Sequence, residues 1–83
     1  MSKNKKILRF TASWCKPCKS LAENLERADL PLPIEVVDID VNEELANQYN
    51  VRSVPTLVLL KNDIEVKRSV GSKTVNQLKE WAV

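Results

Sequence analysis

The succession of three segments at the start of the chain narrows the fold more than any other feature. Lys5 to Thr11 carries Ile7, Leu8 and Phe10 in a short run that reads as a strand. Cys18, Leu21, Ala22, Leu25 and Ala28 then recur at helical spacing. Pro17 suits the first turn of that helix, and Pro31 and Pro33 forbid its continuation. Ile34 to Ile39, rich in β-branched residues, reads as a second strand. A strand, a crossover helix and a strand of the same sheet must run parallel with a right-handed connection, which excludes all-helical and purely antiparallel folds.

The rest of the chain extends this α/β order. Asp40 and Glu43 stand in capping-box spacing, so a second helix is expected there, with Val41, Leu45 and Tyr49 on its buried face. Asn50 suits a left-handed helix end, and Pro55 opens a third strand over Thr56 to Leu60. Asn62 and Asp63 make a tight turn into a fourth strand in which Ile64, Val66 and Arg68 alternate with polar residues, the pattern of an edge. Thr74 and Gln77 cap a last helix whose apolar stripe is Val75, Leu78 and Ala82, while Trp81 packs. The predicted order is β-α-β-α-β-β-α, a four-stranded mixed sheet flanked by three helices with the first strand central. With 83 residues and one glycine there is no room for a linker or a second core, so residues 1–83 are read as one domain.

Charge excludes several function classes. The net charge is +2 with the signs interleaved, and the aromatic residues are only Phe10, Trp14, Tyr49 and Trp81, so no basic, aromatic-studded face for nucleic acid is expected. Leu57 to Leu60 is the longest apolar run, far short of the ~18 residues of a membrane span. Met1 to Lys6 is basic like the start of an export signal, but Arg9 interrupts the apolar stretch that follows, and a cytoplasmic protein is expected. No long apolar stripe calls for a partner copy, so a monomer is expected.

The only cysteines, Cys15 and Cys18, lie three positions apart. A disulfide closing so short a loop constrains the unfolded chain little, which makes it a poor staple. A structural zinc site wants four ligands, and with no histidine and no further cysteine only a dimer-bridging site could close, so no metal is expected. Redox chemistry remains. At the start of the first helix the unpaired amides and the helix dipole favour an anion, so the Cys15 thiol should have a depressed pKa and act as the nucleophile. Cys18, one turn on, is placed to resolve the mixed disulfide. Lys16 adds a positive charge beside the pair, Pro17 stiffens the turn, and Trp14 offers an apolar contact surface. No bound cofactor is needed.

With Trp14-Cys15-Lys16-Pro17-Cys18-Lys19 between a strand and a helix, and Val54-Pro55-Thr56 opening a later strand, the chain resembles the thioredoxin family. The match runs from about Ile7 to the C-terminus and takes in the Lys61-Asn62-Asp63 turn, Val70-Gly71 and the closing Gln77 to Trp81 helix. The resemblance implies a cis Pro55 facing the cysteines. It also implies that the backbone of Val54 pairs with an extended substrate segment beside Trp14 and Val70-Gly71. The length implies a minimal thioredoxin fold without the first strand and helix of full-length members.

Four positions depart from the family. Arg9 stands where thioredoxins carry a buried aspartate six residues before the first cysteine, Val36 where they usually carry a lysine, Thr11 in place of a tryptophan, and Lys16 in place of the glycine between the cysteines. A cation near the dithiol favours thiolates and so raises the reduction potential. Arg9 is otherwise a strand residue reaching for water, paired with a carboxylate such as Asp38. The reading is a thiol-disulfide oxidoreductase that reduces disulfide-containing proteins and is reset by a thioredoxin-reductase-type reductant or by glutathione. The alternatives are a glutaredoxin-like enzyme recharged by glutathione, or a non-catalytic binding subunit that grips its partner through Trp14, Val54 and Val70.

Overall fold

The computed structural model describes residues 4–82. Met1 to Lys3, half of the basic opening stretch, lie outside the described residues. The elements are β1 (Lys5–Thr11), α1 (Lys16–Ala28), β2 (Ile34–Asp38), α2 (Glu43–Gln48), β3 (Thr56–Lys61), β4 (Ile64–Val70) and α3 (Val75–Trp81). The four strands form one sheet in the order β2-β1-β3-β4. β1 is parallel to β2 and antiparallel to β3, and β3 is antiparallel to β4, so the sheet is mixed as the connections require.

The central strands are apolar on both faces because both are covered. Ile7, Leu57 and Leu59 point to one face, where Leu21, Leu25 and Ala28 of α1 and Leu78 of α3 close over them. Leu8, Phe10, Val58 and Leu60 point to the other, against Val37 of β2 and Ala46 of α2. Trp81 packs at the edge of the first cluster, and Lys67 stands 5.4 Å from the centre of its ring. No helix among the described residues is long and apolar enough to cross a membrane.

Helix ends follow local chemistry. α1 stops at a left-handed Asp29. α3 starts with the expected reciprocal box, Thr74 Oγ1 accepting from the Gln77 amide and Gln77 Oε1 from the Thr74 amide. The second helix departs from expectation: its N-cap is Asn42, whose Oδ1 accepts from the Leu45 amide, and Asp40 lies outside it. Val41 therefore falls on the preceding loop at 84% exposure instead of on a buried face.

The β3–β4 turn has positive φ at both Asn62 and Asp63, as a two-residue hairpin turn of this hand requires. β4 is an edge, but it does not alternate simply. The register passes from Leu59 opposite Lys67 to Leu60 opposite Glu65, leaving Val66 as a bulged extra residue. Ile64, next to the turn, and the bulged Val66 are exposed, and Glu65 and Arg68 share a face.

Candidate active site

Cys15 is the N-cap residue of α1, and its sulfur accepts a hydrogen bond of 3.2 Å from the Cys18 amide. The sulfur thus occupies the place that a serine or aspartate oxygen usually takes at a helix start, where the free amides favour negative charge. Cys15 and Cys18 are joined in a disulfide with their Cα atoms 5.3 Å apart. Pro17 lies in the first turn and supplies no competing amide. Lys16 is exposed beside the pair.

The two cysteines are buried in a small apolar cluster. Ala12 lies beside them at the end of β1, and Ile39 and Val54 pack on the same cluster. The Val54–Pro55 peptide is cis, as the resemblance implied, and Pro55 is buried. Its carbonyl accepts from the Gly71 amide at 2.9 Å, which brings the end of β4 beside it. Gly71 has φ +96°, a backbone shape that side-chain-bearing residues rarely adopt. Asn24 of α1 donates to the Lys73 carbonyl at 2.8 Å and holds this segment against the helix. Trp14 and Val70 flank the site at 65% and 64% exposure.

Besides Ala12 and Asn24, sequence reasoning missed Asp40 and Ile39. Trp14 Nε1 donates to Asp40 Oδ2 at 2.9 Å, so Asp40 holds the indole rather than capping α2. Ile39, read only as the end of a strand, packs against the disulfide cluster. The signal was their position at the C-terminal end of β2, next to the C-terminal end of β1 where the cysteines begin; Ile39 N–H donates to the Thr11 carbonyl across that junction.

Arg9 is placed apart from the sulfurs. It lines a groove of about 460 Å³ with Ala22, Glu23, Leu25, Glu26, Ile34 and Val36, and neither cysteine borders that groove. Burial pushes its guanidinium below the ordinary value. The expected pairing with Asp38 is not among the ion pairs of the described residues, which are Lys6 with Glu35 and Arg68 with Glu65. Asp38 Oδ1 instead accepts from the Asp40 amide at 2.9 Å, which turns its carboxylate toward the β2–α2 loop.

A family model described as Thioredoxin matches residues 1–83. A thioredoxin of Chlamydia trachomatis is 47% identical over 75 residues, covering 87% of this chain and 74% of that one. A thioredoxin of Bacillus subtilis is 44% identical over 75 residues, covering 86% and 72%. Among solved structures, a thioredoxin variant from Halobacterium salinarum superposes with a TM-score of 0.88 at 33% identity over 95% of this chain and 72% of that one. The thioredoxin of Fasciola hepatica does so with 0.84 at 34% identity over 94% and 77%. A vicinal cysteine pair capping a helix on this sheet, together with relatives at this identity over most of the chain, leads to one conclusion: the chain belongs to the thioredoxin family and is a thiol-disulfide oxidoreductase that reduces protein disulfides.

Proposed function

We propose that Cys15 is the attacking sulfur and Cys18 the resolving one. In the reduced enzyme the Cys15 thiolate attacks one sulfur of a substrate disulfide, the substrate's other sulfur leaves as a thiolate and takes a proton, and a mixed disulfide remains. The Cys18 thiol then loses its proton and attacks Cys15 Sγ; the second substrate thiol departs, and the Cys15–Cys18 disulfide holds the two-electron oxidation. The observation that carries this assignment is the hydrogen bond from the Cys18 amide to Cys15 Sγ at the first turn of α1, since only the cap position receives such a bond.

Substrate contact falls to Trp14, Val54, Pro55, Val70 and Gly71. Neither the N–H nor the carbonyl of Val54 has a backbone partner among the described residues, so both are free to pair with an extended segment. Reset by a thioredoxin-reductase-type protein, a monomeric state and a cytoplasmic setting belong to the same proposal.

The test is trapping. Cys18→Ser incubated with a disulfide-containing protein accumulates a covalent, reductant-sensitive complex through Cys15, and Cys15→Ser accumulates none. The reverse pattern would exchange the two roles, and a Cys15→Ser protein that reduces no disulfide yet keeps full biological function would move the assignment to a non-catalytic binding subunit.

A further inference from the structure

Val41 is the most exposed of the large apolar residues, at 84%. A lone exposed valine is ordinary on a protein surface, but its position is not ordinary. Asp38 closes the loop on which it stands: its carbonyl accepts from the amides of both Val41 and Asn42, at 3.1 and 2.8 Å, and its carboxylate accepts from the Asp40 amide. The residue before Val41 holds the Trp14 indole, and the residue before that packs on the disulfide cluster. Three successive residues therefore have three directions: Ile39 inward to the sulfurs, Asp40 across to Trp14, and Val41 outward to solvent.

Apart from Trp14 and Val70, which flank the site, the other three exposed large apolar residues among the described ones have structural reasons. Val36 lines the groove that Arg9 shares with α1. Ile64 follows the hairpin turn at the far end of β4, and Val66 is the bulged residue. Nothing in the fold requires an apolar side chain at Val41. A β-branched side chain on a hydrogen-bonded loop loses little freedom when it is covered.

We infer that Val41 extends the substrate-contact surface beyond Trp14, on the side away from Val70, and takes an apolar side chain of an extended protein segment near its reactive disulfide. This rests on the assignment of Cys15 and of the Trp14 and Val70 flanks proposed above. It makes the enzyme favour protein disulfides with an apolar neighbour over small disulfides that cannot reach Val41.

The experiment compares kcat/KM toward insulin with kcat/KM toward hydroxyethyl disulfide for the full chain, Val41→Ser and Ile64→Ser. Val41→Ser raises KM for insulin threefold to tenfold, equivalent to about 0.7 to 1.4 kcal/mol. The insulin-to-small-disulfide ratio falls by the same factor, and Ile64→Ser leaves that ratio at the parent value. A ratio in Val41→Ser equal to that of the parent, or no lower than that of Ile64→Ser, overturns the inference while leaving the cysteine assignment intact. A Cys15→Ser protein that still reduces insulin overturns both.

Discussion

Cys15 caps α1 with its sulfur, and in the mechanism proposed above that same sulfur is the reacting atom, placed where free amides favour a thiolate. The two cations near the dithiol in sequence are separated by the fold. Lys16 directly follows Cys15, whereas Arg9 lies in a groove shared with Glu23, Glu26, Ile34 and Val36. Only the first adjoins the cysteines. A cation that favours thiolates stabilises the reduced form, so removing it makes the potential more negative, by about 30 mV for each 1.4 kcal/mol of lost interaction. Lys16→Gly is expected to lower the potential by roughly 10 to 30 mV, and Arg9→Met to shift it by less than about 10 mV. Equilibration in glutathione buffers with trapping of free thiols measures both. An Arg9→Met shift as large as that of Lys16→Gly would show that the guanidinium acts on the pair after all. The parent value also identifies the reductant. Well below the glutathione poise of roughly −220 to −260 mV it calls for a dedicated reductase, and above it for glutathione.

Among the elements, β4 shows where alternation along a sequence stops being informative. Residues three apart on a regular strand face opposite sides, yet Arg68 donates from Nε to Glu65 Oε2 at 2.6 Å and from Nη2 to Glu65 Oε1 at 2.8 Å. The bulge at Val66 adds the residue that puts both on the α2 face of the sheet, where Arg68 Nη2 also reaches the Tyr49 carbonyl at 2.7 Å and ties the end of α2 to the sheet. Bulges leave no residue-type signature in this strand, so the sequence pattern places Ile64 and Val66 on a regular edge strand. The start of α2 is a similar case, because Asp40 and Asn42 are both good caps and only the contact with Trp14 separates them. The hydrogen bond from Arg68, opposed by partial burial, holds the Glu65 carboxyl below its ordinary value of 4.5. A depressed carboxyl stabilises the fold above its unfolded value, and that stabilisation is lost as the pH falls through the folded value. The pair is partly exposed, so Glu65→Gln is expected to cost no more than about 1 kcal/mol at neutral pH. Urea midpoints of parent and variant should converge as the pH falls from above 4.5 through the lowered folded value of Glu65. A gap that persists in acid would assign the cost to packing and not to charge.

For the whole molecule, what was legible in the sequence and what was not have one physical origin. Strand and helix types, the mixed sheet and the capping of α3 were legible because each rests on contacts within a few residues or on a chain-wide rule of handedness. The seats of Asp40, Ile39 and Arg9 were not, because they depend on which side chains two distant elements bring together. That dependence makes a further prediction about the fold as a unit. β1 and β3 contribute to both apolar clusters, with Ile7 and Leu57 on the α1 and α3 side and Leu8 and Val58 on the α2 side, so neither face retains its floor without the other. An 83-residue domain has roughly 4 to 12 kcal/mol of stability in total, and removing a buried leucine side chain costs about 2 to 5 kcal/mol. Leu8→Ala, on the α2 side, should therefore lower the urea midpoint reported by Trp81, which packs on the opposite face. In a Trp14→Phe background, where Trp81 is the only indole, its fluorescence midpoint should fall by the same amount as the midpoint of far-ultraviolet circular dichroism. If Trp81 kept its parent midpoint while the dichroism transition split in two, the faces would unfold separately, and the chain could not be treated as one cooperative domain.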